Sequence, residues 1–111
     1  MKIISLKEVA EEGVSHNPEI RKQTLLRKGA LPHLLNFARS RLAPGQAASA
    51  HRHKDMFEVF FVEAGAGRLK IDGHDQPLEA GTCFVVEPGE EHEIINDGTS
   101  DLWLIYFGIE E

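Results

Sequence analysis

Three histidines and one glutamate, drawn from two short stretches of the chain, are the residues of this sequence best suited to hold a metal ion. His51 and His53 are two residues apart, so on an extended strand both side chains point to the same face. Glu58 follows five residues after His53, and His92 begins a separate short strand-like stretch. If these stretches meet, three neutral imidazoles and one ionised carboxylate can ligate one divalent transition metal ion, with Mn, Fe, Ni and Zn all compatible.

Short strands must position these side chains, because glycines and prolines divide most of the chain into brief segments rich in Val, Ile, Leu and Phe. We expect one helical turn near residues 6–11, a surface loop over 11–18 and a hairpin turn over 72–75. Strands at this spacing predict an all-β sandwich or barrel. The expected strands cover residues 2–4, 20–28, 34–42, 46–51, 57–64, 67–72, 82–87, 92–96 and 101–109.

Two of these strands, at residues 57–62 and 102–107, are apolar on both faces. A strand with one face in water should alternate apolar and polar residues, so both faces here need a cover. That cover is either the N-terminal segment, residues 1–30, or another subunit. We favour a homodimer, because closed symmetric dimers are the commonest assembly. A monomeric sandwich that leaves its outer apolar residues exposed is the alternative.

The spacing of the metal-ligating residues resembles the two conserved motifs of the cupin superfamily. The first motif is matched over residues 45–65 by Gly45, His51, His53, Glu58 and Gly65, and the second over residues 81–96 by Gly81, Gly89, His92 and Asn96. The short segment between them is similar to that of compact microbial single-domain cupins. The resemblance implies one domain over residues 1–111, folded as a double-stranded β-helix, or jelly-roll barrel.

One position departs from this pattern. The second motif normally has a proline where this chain has Glu87, and Pro88 follows at the next, variable position. Because Pro88-Gly89 still supplies a fixed and a permissive φ side by side, the turn can form. Glu87 is either the solvent-facing end of a strand or an acceptor for the second ring nitrogen of a ligating histidine.

The resemblance also implies a small-molecule function, since the family includes dioxygenases, sugar isomerases and epimerases, decarboxylases and sugar-sensing domains. A three-histidine, one-glutamate set leaves open positions on an octahedral metal for water, dioxygen or a chelating substrate. We favour a metal-dependent enzyme with dioxygenase-like chemistry, in which Glu58 is the candidate base because a carboxylate can change denticity. A non-catalytic module that binds a metal or metabolite is one alternative, and a sugar or sugar-phosphate isomerase or epimerase is another.

Strand parity predicts a largely apolar substrate pocket, which favours a planar or aromatic ligand. Its expected lining residues are Phe60, Val62, Ile94, Asn96 and Tyr106. Arg39 and Arg41 share a strand face. They would bind an anionic substrate if that face lines the cavity, as the isomerase hypothesis requires, and would be solvated if it faces outward.

Composition excludes several other classes of function. Twelve basic and eighteen acidic residues give a net charge of −6, and without a basic cluster neither nucleic acid nor an anionic membrane is an expected partner. No apolar run approaches the roughly 20 residues of a membrane span, and no signal peptide is recognisable, so a cytoplasmic location is expected. Cys83, the single cysteine, cannot form an internal disulfide and is expected to be a small buried residue.

Overall fold

The structure is a computed structural model that describes residues 1–110, and almost all of its regular elements are β-strands. A short 3-10 helix covers Leu6–Glu8. The strands are β1 (Glu11–Val14), β2 (Asn17–Arg27), β3 (Leu34–Leu42), β4 (Ala47–His51), β5 (Phe57–Ala64), β6 (Ala66–Ile71), β7 (His74–Glu79), β8 (Cys83–Val86), β9 (His92–Ile95) and β10 (Leu102–Ile109).

The strands form two antiparallel sheets whose inner faces share one core. The larger sheet has the order β1-β2-β3-β10-β5-β8, and the smaller has the order β4-β9-β6-β7. The buried core draws on both sheets, with Val62 and Leu104 from the larger and Leu69, Leu78 and Ile94 from the smaller. The prediction of an all-β jelly-roll barrel with one short N-terminal helical turn is confirmed.

Alternation along β10 shows how the sequence divides the larger sheet into an inner and an outer face. Leu102, Leu104 and Tyr106 are buried against the core, while the intervening Trp103 and Ile105 are only half-buried on the other side. Each inward leucine stabilises the fold by roughly 1.5–3 kcal/mol relative to an exposed position. The apolar inner residues therefore hold the two sheets together, and the outer residues contribute less to this core.

The outer face of the larger sheet is also rich in apolar residues. Phe107 of β10 is paired with Phe37 of β3 on one side and Val59 of β5 on the other. Phe61 and Val85, farther toward the β8 edge, remain 43% and 47% exposed. We call the set Phe37, Val59, Phe61, Val85, Ile105 and Phe107 the outer apolar patch.

The N-terminal segment differs from its predicted form. Residues 2–4 form no strand and are exposed, whereas residues expected to be a surface loop form β1 and the start of β2. Glu12 and Gly13 pair with Lys22 and Arg21, so this segment extends the larger sheet beyond β3. The helical turn stops at Glu8, and the side chain of Ser5 does not cap it.

A further strand, β7, was not expected from the sequence because its residues are mostly polar and include Pro77. It pairs with β6 through a two-residue turn at Asp72 and Gly73, whose φ angles are 47° and 81°. Positive φ at both positions is typical of the tight hairpin turns that match strand twist. The hairpin expected over residues 72–75 is thus present, and His74 and Asp75 already belong to β7.

Candidate metal centre

The four residues singled out by their spacing converge at one end of the barrel. His51, His53, Glu58 and His92 each offer one ligand atom, and these four atoms all lie within 4.8 Å of one another. Oε1 of Glu58 is 3.1 Å from Nε2 of His53 and 3.3 Å from Nε2 of His92. Three imidazoles and one carboxylate at this spacing could hold one metal ion.

Both sheets contribute to this cluster. His51, at the end of β4, pairs directly with His92, the first residue of β9, and their ring centroids are 4.1 Å apart. Glu58 comes from β5 in the larger sheet and faces them across the barrel. His53 lies in the loop before β5, where its carbonyl oxygen accepts a 2.7 Å hydrogen bond from the backbone N–H of Gly89. The cluster thus joins the two sheets and both sequence motifs.

Backbone carbonyls orient two of the imidazoles. Nδ1 of His51 lies 2.8 Å from the carbonyl oxygen of Ser49, and Nδ1 of His92 lies 3.5 Å from that of Glu90. A proton on Nδ1 that is donated to such a carbonyl leaves the lone pair of Nε2 for the metal. Burial is the main cause that lowers the pKa of His51, and it thereby favours the neutral form that ligates.

Two buried atoms of the cluster support its assignment as a metal site. Oε1 of Glu58 and Nε2 of His92 are inaccessible to solvent and have no hydrogen-bond partner, because their 3.3 Å approach lacks hydrogen-bond geometry. Leaving buried polar atoms unpaired costs roughly 1–3 kcal/mol each, and more for charged groups. A cation between these two atoms would satisfy both, so the donor set fits a divalent metal ion.

A cavity of about 80 Å³ lies next to the cluster, inside the barrel. Phe60, Ile94 and Tyr106, which strand parity predicted as pocket residues, are part of its wall. Val62 and Asn96, also predicted, are buried elsewhere and do not line it. The complete lining is Val14, Ile20, Ser40, Leu42, Ala48, His51, Glu58, Phe60, His92, Ile94, Leu104 and Tyr106.

Asn96 has a structural position instead. It is fully buried, and its side-chain amide donates hydrogen bonds of 2.8 and 2.9 Å to the carbonyl oxygens of Leu42 and Ser100. Its side-chain oxygen accepts a 2.9 Å bond from the backbone N–H of Gly98. Asn96 therefore fixes the segment between β9 and β10 against the end of β3, away from the metal ligands.

The two arginines whose orientation the sequence left open face outward. Arg39 stacks over the ring of Trp103, with 3.9 Å from its guanidinium carbon to the ring centroid, and pairs with Glu63 at 2.6 Å. Arg41 lies 3.6 Å from Glu11, also on the outer side. Neither arginine lines the cavity. The sugar-phosphate hypothesis therefore lacks the anion-binding residues that it required.

The solvent exposure of Glu87 and Cys83 decides the two predictions made for these residues. Glu87 is exposed, and its backbone N–H and carbonyl both bond to Glu90 within the turn. His51 and His92 contact the carbonyls of Ser49 and Glu90 instead, so Glu87 is at the solvent-facing end of its strand. The prediction that Cys83 is buried is wrong, because its side chain lies exposed on the outer side of the edge strand β8.

Several cavity residues lay outside the sequence predictions. Val14 and Ile20 come from the N-terminal strands, whose position beside β3 no local pattern revealed. Ser40 could have been found, because it alternates with Arg39 and Arg41 and so must occupy the opposite face of β3. Because side chains alternate along β3, the outward position of the two arginines requires that Ser40 point inward.

The barrel, its two motifs and the four converging ligands together define a cupin. The family model described as Cupin domain matches residues 38–107, and the chain belongs to this family. Among curated proteins, it is 31% identical to an oxalate-binding protein of Thermotoga maritima over 105 residues, which are 90% of this chain and 87% of that protein.

Two other similarities are informative. A crystal structure from Thermotoga maritima, described as a predicted oxalate decarboxylase, superposes with a TM-score of 0.91 at 30% identity and covers 99% of this chain and 100% of that one. Gentisate 1,2 dioxygenase 1 of Aquipseudomonas alcaligenes is 27% identical over 64 residues, which are 57% of this chain and 18% of that enzyme. Among the described residues, no helix has the length and apolar character of a membrane span.

Proposed function

We propose that the protein binds a small dicarboxylate of the oxalate class through a divalent metal ion held by His51, His53, Glu58 and His92. The observation that carries this proposal is the small cavity directly beside the cluster. At about 80 Å³ it is far below the roughly 300–1,000 Å³ of pockets that take drug-sized ligands. A ligand of few non-hydrogen atoms that can chelate the metal fits this combination.

The charges at the centre also favour a small dianion. Three neutral imidazoles, one carboxylate and one divalent cation sum to a net charge of +1. The rest of the wall is mainly apolar and supplies no second cation. The charge of an anion in this cavity would therefore be neutralised by the metal ion. A ligand that places both of its carboxylates on the metal brings both negative charges next to that cation.

The relative from Thermotoga maritima supports the same class of ligand. That protein is named for oxalate binding, and its similarity extends over most of both chains. Because the name describes binding, we propose a binding site first, and chemical turnover is a separate question for this chain.

Metal analysis combined with calorimetry tests this proposal. The wild-type protein, His51→Ala and the matched control His74→Ala would be loaded with Mn²⁺, dialysed, analysed for metal and titrated with oxalate. His74 is exposed on β7 and is no part of the cluster. We expect one metal ion per chain and oxalate binding in the wild type and His74→Ala, with both lost in His51→Ala. Stoichiometric metal without measurable oxalate binding would contradict the proposed ligand.

Dioxygenase-like oxidation is the second candidate function, favoured by the similarity to gentisate 1,2 dioxygenase 1. A bound iron ion would supply the redox chemistry, with open positions for dioxygen and substrate. Glu58 is the candidate base, because a carboxylate can change denticity and so free an oxygen to accept a proton. Oxygen uptake by the Fe²⁺-loaded protein with gentisate, measured against His51→Ala, tests this candidate, and no uptake above that variant would eliminate it for this substrate.

We also propose that the protein forms a homodimer through the outer apolar patch. Soluble monomers rarely expose large contiguous apolar surfaces, and a self-complementary patch suits a two-fold interface. The patch crosses β3, β10, β5 and β8 without a break, and its members Phe61 and Val85 are the most exposed. Light scattering should give twice the chain mass of 12.4 kDa, and a mass of one chain would refute the dimer.

A further inference from the structure

Two largely buried residues that carry a hydroxyl group, Ser40 and Tyr106, line the cavity beside the candidate metal centre. Apart from His51, Glu58 and His92, the polar side chains in the described wall of the cavity are those of Ser40 and Tyr106. These two residues are only 4% and 8% exposed. The other seven lining residues are apolar, so the hydroxyls are the polar groups that remain to contact a ligand once the metal ligands are engaged.

Packing holds the Tyr106 ring in place. On the inner face of the larger sheet, Tyr106 lies between Ala38 of β3 and Phe60 of β5. Its ring stacks on that of Phe60 with centroids 5.2 Å apart and an interplanar angle of 22°, and Phe60 stacks in turn on Phe84. Because Ala38 is small and fully buried, it leaves room beside the ring. The hydroxyl is therefore presented by a rigid aromatic row.

Neither hydroxyl is used within the protein. Both residues line the cavity, and the structure shows no side-chain hydrogen bond from either hydroxyl to another of residues 1–110. A tyrosine in largely apolar surroundings normally finds a partner for its hydroxyl. Both groups open onto the cavity beside the proposed metal, so their partners belong to whatever occupies that cavity.

We propose that Tyr106 and Ser40 donate hydrogen bonds to the oxygens of the bound dicarboxylate that point away from the metal. This inference rests on the proposed function. A ligand such as oxalate that chelates through one oxygen of each carboxylate has two further oxygens, which lie on the side opposite the metal. The two hydroxyls match these two acceptors in number and in chemistry. They would make the site selective for a dicarboxylate over a chelator with fewer distal oxygens.

The environment of Tyr106 keeps its hydroxyl a donor. Burial is the main cause that raises the pKa of Tyr106, and the carboxylates of Glu58 and Glu12 raise it further. The phenol therefore stays protonated and presents no negative charge to an anionic ligand. In a wall that is otherwise apolar, a hydrogen bond to a carboxylate is stronger than in water.

Calorimetry with two ligands tests this inference. Tyr106→Phe and Ser40→Ala remove the hydroxyls and little else, and Ser15→Ala is a matched control in an exposed turn. Each Mn²⁺-loaded protein would be titrated with oxalate, which has two distal oxygens, and with glycolate, which chelates but has one. We expect oxalate affinity to fall about ten-fold or more in each cavity variant, with a smaller loss for glycolate and no change in Ser15→Ala.

Metal content and thermal melting separate this role from a merely structural one. We expect Tyr106→Phe and Ser40→Ala to retain one Mn²⁺ per chain and a cooperative melt. Equal oxalate affinity in the wild type and both cavity variants would overturn the role of the hydroxyls while leaving the proposed function intact. An equal loss for oxalate and glycolate would also overturn it. If the wild type itself does not bind oxalate, the proposed function fails instead.

Discussion

The inner and outer faces of the six-stranded sheet are built from the same strands but differ in what their apolar residues do. On the inner face, apolar residues surround a cavity, and a few polar residues such as Tyr106 and Glu58 also line it. On the outer face, residues one position away, such as Phe107 and Val59, form a continuous patch. The apolar runs in these strands therefore serve two different surfaces, the wall of the cavity on one side and the outer apolar patch on the other.

The charged residues differ between the faces in the same way. Inside, the partners that the structure gives the Glu58 carboxylate among residues 1–110 are the imidazoles of His53 and His92. Outside, the carboxylate of Glu63 is paired with Arg39, which also covers Trp103. The outer charges are paired within the protein, whereas Oε1 of Glu58 has no hydrogen-bond partner. The face of the sheet, and not the residue type, distinguishes these two carboxylates.

The largest expected effect comes from removing the inner carboxylate. Glu58→Gln should weaken metal binding by at least about 100-fold, because changes to groups that merely support ligands already cost about 10–100-fold. Glu63→Gln is the matched control, since it lies on the same strand and faces outward. Metal content after dialysis measures both. Equal metal loss in the two variants would contradict the distinction between the faces.

The next effect concerns the outer apolar patch. Phe61→Glu should convert the dimer to a monomer, because it places a charge in the part of the patch that is most exposed. Gln76→Glu introduces the same charge on the exposed face of β7 and should leave the dimer intact. Light scattering gives the mass, and metal content should be unchanged in both. Loss of metal in Phe61→Glu would show that the two faces are not independent.

A smaller effect, on stability, is expected at Asn96, which lies away from the candidate metal ligands. Asn96→Ala should lower the free energy of unfolding by about 2–4 kcal/mol, because it leaves the buried carbonyl of Leu42, the part-buried carbonyl of Ser100 and the N–H of Gly98 without their partner. Urea unfolding monitored by circular dichroism measures this loss. Asn17→Ala removes hydrogen bonds that are exposed and should cost less than about 1 kcal/mol. Similar losses in both variants would argue against the bracing role of Asn96.

The smallest effect is expected at the edge of the sheet, at Glu12. The hydroxyl of Thr24 is the main cause that lowers the pKa of this carboxyl, and Arg27 lowers it further, against an opposing effect of burial. A lowered pKa in the folded state means that the stabilisation is complete above the unfolded pKa near 4.5 and is lost as pH falls through the folded pKa. Glu12→Gln should remove this acid-dependent contribution, which is below about 1 kcal/mol at such an exposed site.

Thermal melts between pH 3 and pH 7 check this expectation. The wild type and Glu12→Gln should differ most at neutral pH and converge toward the acid end. Glu19→Gln, an exposed carboxylate on β2, is the control. A gap that widens as pH falls would show that the sign assigned to Glu12 is wrong.

The metal ligands were the part of the site most accessible to sequence reasoning. Their spacing reflects local constraints: strand parity places His51 and His53 together, and the turn at Pro88-Gly89 sets the start of β9. Pocket residues were harder to predict. Val62 is on the inner face as parity requires, yet it lies too deep along β5 to reach the cavity. Strand parity predicts which face of a sheet a side chain is on. Whether that side chain reaches the cavity depends on how the second sheet packs against the first.

The missed strands have a similar explanation. The residues of β1 and β7 are mostly polar and include Gly13 and Pro77, so neither hydrophobic alternation nor strand propensity marks them. Their extended form comes from pairing with β2 and β6. The opposite error occurred at residues 2–4, where two isoleucines suggested a strand that finds no partner. Tertiary pairing thus overrode local pattern in both directions.

The bond from the Gly89 N–H to the His53 carbonyl ties the turn before β9 to the loop before β5. The two loops are thereby anchored to each other by main-chain atoms, a contact that does not depend on which side chain stands at position 53. If the cluster binds an ion as proposed, this main-chain contact would hold the two loops together both with and without the ion. Which metal the proposed site carries would then depend on the supply in its surroundings as well as on the donor set.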